Sequence, residues 1–169
     1  MKNSLFLLLL IFAFNGWVLA QPPKEPIYFL DNVQVNKDAL KPLGKNDLAT
    51  ITVYKDTNAI RLFGEKGKDG VLSITTKAYA KKRYWEYFKS KSPEYANAVP
   101  TLDQEQKVVY ILNDKVLSNN SEGLLFSIND ALFISLKVIN SEQLQSDYHI
   151  SDKKFGIIIR AKEVKRTKI

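Results

Sequence analysis

Ile27-Tyr28-Phe29-Leu30-Asp31-Asn32-Val33-Gln34-Val35, followed by NDLATITVYKDTNAIRLFGEKGKDGVLSITTK from Asn46 to Lys77, decides the reading of this 169-residue chain. Ile27 to Leu30 is a short apolar strand. Asp31-Asn32 follows as a turn, because both side chains bond their own backbone and tolerate left-handed geometry. Val33 and Val35 alternate with polar neighbours and mark the return strand. Gly44 to Asp47 is a second break, where Asn46 or Asp47 suits the cap of a single helical turn. Thr50 to Lys55 then alternates with period two: Ile51 and Val53 point one way, Thr50, Thr52 and Tyr54 the other. That is a half-buried strand whose polar face is the Thr50, Thr52 and Tyr54 side. Asp56 is placed to cap a short helix carrying Ile60, Leu62 and Phe63. Gly64, Gly67 and Gly70 punctuate a loop, and Val71 to Thr76 closes the unit as a strand.

A similar order returns further along. Tyr110-Ile111-Leu112-Asn113-Asp114 mirrors Tyr28-Phe29-Leu30-Asp31-Asn32, and Asn129-Asp130 mirrors Asn46-Asp47. Ile134 and Leu136 take the places of Ile51 and Val53. Asn140 takes the place of Asp56, with Gln143 completing a capping box. Ile157 to Ile159 stand where Leu72 to Ile74 stand. Few residues are identical; the repeated order of strand, turn, cap, strand, cap, helix and strand reads as a diverged duplication. Between the halves, Ala78 to Lys91 places Tyr84, Trp85, Tyr87 and Phe88 on one arc of a helix and Lys82, Arg83, Glu86 and Lys89 on the other. Ser92-Pro93 ends that helix, and Ser90 to Gln106 reads as a polar linker. The fold class expected is α+β: two small units of mixed β-sheet with short helices, 27–77 and 107–162, joined by an amphipathic helix and linker over 78–106.

The ends are simpler. Lys2, the apolar run Leu5 to Phe14 and Val18-Leu19-Ala20 have the order of a cleavable signal peptide, residues 1–20. The run is shorter than the ~20 residues that span a bilayer, and Asn15-Gly16 interrupts it. Residues 21–26 hold three prolines and form an extended lead-in; 163–169 form a basic tail. There is no cysteine, which excludes lipid attachment at a cleavage-site cysteine, disulfides, thiolate metal sites and cysteine nucleophiles. The formal net charge is +7, of which Lys2 would leave with the leader. An exported basic chain meets anionic envelope components readily, and the charge equally serves solubility.

The segment Ile27 to Lys77 resembles the plug domain of TonB-dependent outer-membrane receptors, in the form found in Bacteroidetes. The resemblance rests on Ile27 to Asp31, Asn46 to Asp56, Ala59, Gly64, Gly67, Gly70-Val71-Leu72 and Ile74 to Lys77. It implies two plug-like units, the second a degenerate copy, with a small mixed sheet and short helices in each. Asn32 stands where the family has glycine, a mild departure because asparagine also reaches left-handed geometry. The second unit lacks the glycine pattern and offers only Gly156. A receptor barrel needs many strands of ~9–11 residues, so the expectation is a plug-like module without its transporter.

Catalytic signatures are lacking. His149 is the single histidine, and no nucleophile-elbow pattern accompanies it. Gly64-Glu65-Lys66-Gly67 lacks the glycine-lysine-hydroxyl close of a phosphate loop. Carboxylate pairs such as Asp31 with Asp47, or Asp103 with Glu105, have no diagnostic spacing. Lys81 to Trp85 mixes charge with rings, but the two lie on different helix arcs and the chain reads as exported, which argues against nucleic acid. The expectation is therefore a non-enzyme without cofactor or metal. It would be an exported periplasmic or outer-membrane-associated adaptor, not membrane-spanning after leader removal, that recognises an outer-membrane receptor or an energy-transducing protein. Thr50, Thr52 and Tyr54 on an exposed strand are its candidate binding residues. The alternative is a small-ligand or glycan-binding protein using Tyr79, Tyr84, Trp85 and Tyr87, which requires those rings to be exposed.

Overall fold

The computed structural model describes residues 25–163. The leader, most of the lead-in and nearly all of the basic tail lie outside the described residues. The chain is mixed α+β, with two four-stranded mixed sheets and short helices. The first sheet has the order β2-β1-β4-β3, from β1 (Ile27–Leu30), β2 (Val33–Val35), β3 (Leu48–Tyr54) and β4 (Val71–Thr76). The second has the order β6-β5-β8-β7, from β5 (Val108–Leu112), β6 (Lys115–Val116), β7 (Phe133–Asn140) and β8 (Phe155–Ala161).

Each sheet begins with a hairpin closed by two left-handed residues. Asp31 and Asn32 have φ of 51° and 67°, and Asn113 and Asp114 have 48° and 66°. Positive φ at both central positions is the primed turn whose twist suits a two-residue hairpin. The first strand of each hairpin then pairs parallel with the last strand of its unit, and that strand pairs antiparallel with the third. The register slips between Leu48 and Thr50 in one sheet and between Phe133 and Ser135 in the other. Beyond the slip, Ile51 faces Ile74 and Val53 faces Leu72, while Leu136 faces Ile159 and Val138 faces Ile157. The residues corresponding to Ile51 and Val53 are therefore Leu136 and Val138, not Ile134 and Leu136. Ile134 sits at the slip and is 59% exposed, which no core position would be.

Helix α1 (Asp56–Phe63) follows β3. Its cap lies one residue before the expected one: Lys55 takes the extended cap geometry without a side-chain bond, and Asp56 is itself left-handed with φ 50°. Helix α5 (Ser141–Tyr148) has the expected capping box. Asn140 Oδ1 accepts from Gln143 N at 2.9 Å, and Gln143 Oε1 accepts from Asn140 N at 3.3 Å.

Helix α2 (Lys77–Lys91) is capped by Thr76, whose hydroxyl accepts from Tyr79 N at 3.1 Å. The expected polar linker is shorter than its composition implies. Ser92 ends α2 and also caps α3 (Pro93–Ala98), and a 3-10 turn follows over Leu102–Lys107. These elements bury Tyr95, Val99 and Glu105. Polar sequence here lies on the solvent side of short helices whose few apolar residues face inward.

The second sheet is covered on both faces. Helix α5 sets Leu144 against Ile111 and Ile139. On the other face α2, α3 and α4 (Glu122–Phe126) set Tyr84, Phe88, Tyr95 and Leu125 against Val108, Tyr110, Ile157 and Ile159, the main core. The two sheets meet through α2 and α4. Asn32 Nδ2 donates to the Tyr79 hydroxyl at 3.0 Å, Lys77 Nζ donates to Asn120 Oδ1, and Gly123 lies against the Ala49 carbonyl and the Thr50 methyl.

Candidate functional site

Register alone sorts the first sheet into two faces. Tyr28, Leu30, Val33, Val35, Ile51, Val53, Leu72 and Ile74 share one. Phe29, Val71, Thr50, Thr52 and Tyr54 share the other. Helix α1 covers the second face: Phe63 lies 5.4 Å from Phe29 and 5.4 Å from Tyr54, ring centre to ring centre. Tyr54 is thus half-buried and Thr50 leans on α4, leaving Thr52 as the exposed member of the expected binding trio. This reverses the expected orientation of β3. Its threonine and tyrosine side carries the helices, and its aliphatic side is open, with Ile51 and Val53 each 43% exposed. A tyrosine ring on Phe63 buries more apolar area than a valine would, which settles the facing.

On the open face, Tyr28, Val53 and Leu72 floor a groove of about 440 Å³ walled by Pro26 and Gly70, with Lys55, Asp56 and Lys68 at its edge. Tyr110, Val138 and Ile157 hold the matching registers of the second sheet. There the space is filled: Tyr110 has Phe88 at 6.2 Å, Tyr95 at 6.5 Å and Tyr84 edge-on at 5.6 Å.

Those rings close on a buried carboxylate. Glu105 Oε2 accepts from the Tyr84 hydroxyl at 2.8 Å; Oε1 accepts from Tyr95 at 2.7 Å and also from Tyr110. Burial first, and then the Glu105 charge, push the Tyr84 and Tyr95 hydroxyls far above their ordinary pKa; burial raises Tyr110 likewise. Beside this cluster lies a polar cavity of about 470 Å³ lined by Lys81, Tyr84, Glu105, Glu122, Lys153 and the Ser118 to Ser121 loop. The Glu122 Oε2 atom is buried there without a hydrogen-bond partner.

The helix α2 rings do not converge on one cavity. Tyr84 is buried, meeting only the edge of the polar cavity, with its hydroxyl held by Glu105. Trp85 Nε1 donates to the Val99 carbonyl at 2.9 Å, and Lys89 Nζ lies 4.2 Å from its ring centre. Tyr87 donates to Asp130 at 3.0 Å and stands edge-on to Phe133. Partial burial, then that bond, push its hydroxyl up to about 12. Tyr79 packs on Phe126 at 6.2 Å. His149 is the left-handed residue that ends α5, a structural place. Asp31 and Asp47 serve separate turns, binding Thr76 and the Gly44 amide. Among the described residues no group of three histidine, cysteine or carboxylate side chains gathers as metal ligands. No described helix is long and apolar enough to cross a membrane.

Sequence reasoning missed Tyr95, Tyr110, Glu105, Glu122 and the Tyr28 groove. For Tyr95 a signal existed: serine followed by proline is a helix start as well as a stop.

The chain is 33% identical over 54 residues to TonB-dependent receptor P26 of Formosa agariphila, a match covering 31% of this chain and 6% of that protein. No family model and no solved structure matches. The similarity is compatible with an envelope-associated module and spans a small part of the receptor it matches.

Proposed function

We propose that this chain is an exported, non-catalytic adaptor of the cell envelope, built of two plug-like units, that recognises an outer-membrane receptor or an energy-transducing protein. The observation that carries the reading is the open aliphatic face of the first sheet. Ile51, Val53 and the groove over Tyr28 and Leu72 stand uncovered by any described element, whereas the corresponding face of the second sheet is a closed core. Apolar surface left open and rimmed by polar residues marks an interaction site. The partial similarity to a TonB-dependent receptor supports the envelope setting. The test is a pull-down of tagged residues 21–169 from envelope extract at moderate salt, beside a Val53→Asp variant. A barrel receptor or energy-transducing protein retained by the native chain and lost by the variant supports the reading. Equal retention by both removes the open face from it.

The polar cavity between Lys81, Glu122 and Lys153 favours a second reading, a small-ligand or glycan-binding protein. A screen of envelope glycans and small polar metabolites by thermal shift tests it; a stabilising ligand whose effect disappears in Glu122→Ala would support it.

A further inference from the structure

The two sheets supply a comparison within one molecule. Tyr28, Leu72 and Val53 pair across β1, β4 and β3 as Tyr110, Ile157 and Val138 pair across β5, β8 and β7. In both triads a tyrosine stands at one end of a row of two aliphatic side chains. Over the second triad, α2 and α3 deliver Phe88 and Tyr95, both fully buried, and the Tyr95 and Tyr110 hydroxyls lie 2.6 Å apart. Among the described residues, only the groove lies over the first triad. The helices that fill the second site come from the chain just before β5. The described chain before β1 is extended at Glu25 and Pro26, and Pro26 forms the groove wall without capping it. The Tyr28 hydroxyl, unlike that of Tyr110, has no hydrogen-bond partner among the described residues.

We infer that the groove over Tyr28, Val53 and Leu72 receives a short helical segment of a partner protein carrying aromatic side chains, seated as Phe88 and Tyr95 are seated over Tyr110. This rests on the protein-binding reading and names the chemistry of what binds. An aromatic pair suits the site on three counts. The floor is apolar and has room for rings. Tyr28 offers both an edge for ring contact and a hydroxyl for a phenol or carboxylate, as Tyr110 does. Rings bury large area at low entropic cost, which favours them as anchors in small grooves.

The test is a titration of isotope-labelled residues 21–169, followed by amide NMR, with two probes. One is p-cresol, the tyrosine side chain alone. The other is a peptide of residues 77–100, which carries Phe88 and Tyr95. Both are expected to shift the amides of Tyr28, Val53, Gly70 and Leu72. The peptide with Phe88→Ala and Tyr95→Ala is expected to bind at least tenfold more weakly, and Val53→Asp is expected to abolish the shifts. Shifts confined to the second sheet, equal binding by the alanine peptide, or no shifts would overturn the inference. So would groove signals that broaden with protein concentration alone, because a second copy would then be the occupant. Failure here, with a Val53-dependent partner still captured from extract, removes only the aromatic segment. Failure of the capture as well removes the adaptor reading with it.

Discussion

The Asp31 carboxylate closes on Thr76. Oδ1 accepts from the Thr76 amide at 2.7 Å and Oδ2 from its hydroxyl at 2.8 Å. Asn113 holds the corresponding place in the second sheet, accepting from the Ala161 amide at 3.0 Å and donating to the Ala161 carbonyl at 2.9 Å. In each case a turn residue of the first hairpin binds the far end of the last strand. Thr76 also caps α2, so Asp31 fixes the hairpin, the end of β4 and the start of the connecting helix together. Replacing Asp31 by alanine is expected to cost about 1–3 kcal/mol, because the Thr76 amide loses a charged acceptor in a half-buried place. Asp31→Asn, which copies Asn113, should cost less. Urea unfolding of the three proteins checks the order; equal midpoints would show the contact to be idle.

The Tyr84, Tyr95 and Tyr110 cluster predicts a pH dependence with a definite sign. Burial, with the Glu105 charge, raises all three hydroxyls. Their neutral forms therefore contribute stability that is whole below the ordinary tyrosine value of about 10 and is lost as pH climbs past it. The unfolded chain releases those protons first. In an absorbance titration, three of the eight tyrosines should ionise only together with unfolding. Glu105→Gln removes the charge and should bring their ionisation to lower pH. Glu105→Leu leaves the Tyr84 hydroxyl alone while Tyr95 and Tyr110 keep each other, a loss of about 1–3 kcal/mol. Independent ionisation of all eight tyrosines before unfolding would contradict the closed cluster.

Gly123 is a close contact between the two units. A Cβ there would meet the Ala49 carbonyl oxygen and come within 2.8 Å of the Thr50 methyl. Backbone cannot yield cheaply, so Gly123→Ala should push α4 from β3 at about 1–3 kcal/mol. The expected signature is amide shifts at both Ala49 and Tyr79, because Tyr79 packs on Phe126 of the same helix. Shifts limited to residues beside position 123 would mean that α4 adapts locally and the units do not depend on that contact.

The hairpin turns and the α5 cap were legible because their causes are local. Asp31-Asn32 and Asn113-Asp114 tolerate positive φ, and Asn140 with Gln143 forms a box within one turn. What was not legible depended on distant partners. Alternation in β3 separates Ile51 and Val53 from Thr50, Thr52 and Tyr54, but only Phe63 on the following helix decides which side is covered. The correspondence of β3 and β7 was misplaced because the register slips beside Thr50 and Ser135 are invisible in composition. Glu105 reads as a solvated linker residue until three tyrosines from α2, α3 and β5 are brought around it. The open groove is the clearest case: an uncovered face depends on what the other described elements do not reach.

Trp85 decides between packing and ligand contact for the rings of α2. Trp17 lies in the expected leader, so Trp85 is the single tryptophan of residues 21–169. Its indole N–H binds the Val99 carbonyl and its ring faces Lys89, while its body packs on the main core. The expected emission is blue of free tryptophan and only partly open to acrylamide, and neutral sugars should leave it unchanged. Trp85→Phe strands the Val99 carbonyl at a cost of about 1 kcal/mol, without touching a ligand surface. A red-shifted, freely quenched emission that responds to added glycan would reverse this. It would place the ring in solvent, undo the Val99 contact, and move the functional reading from the first sheet to the helix that joins the two.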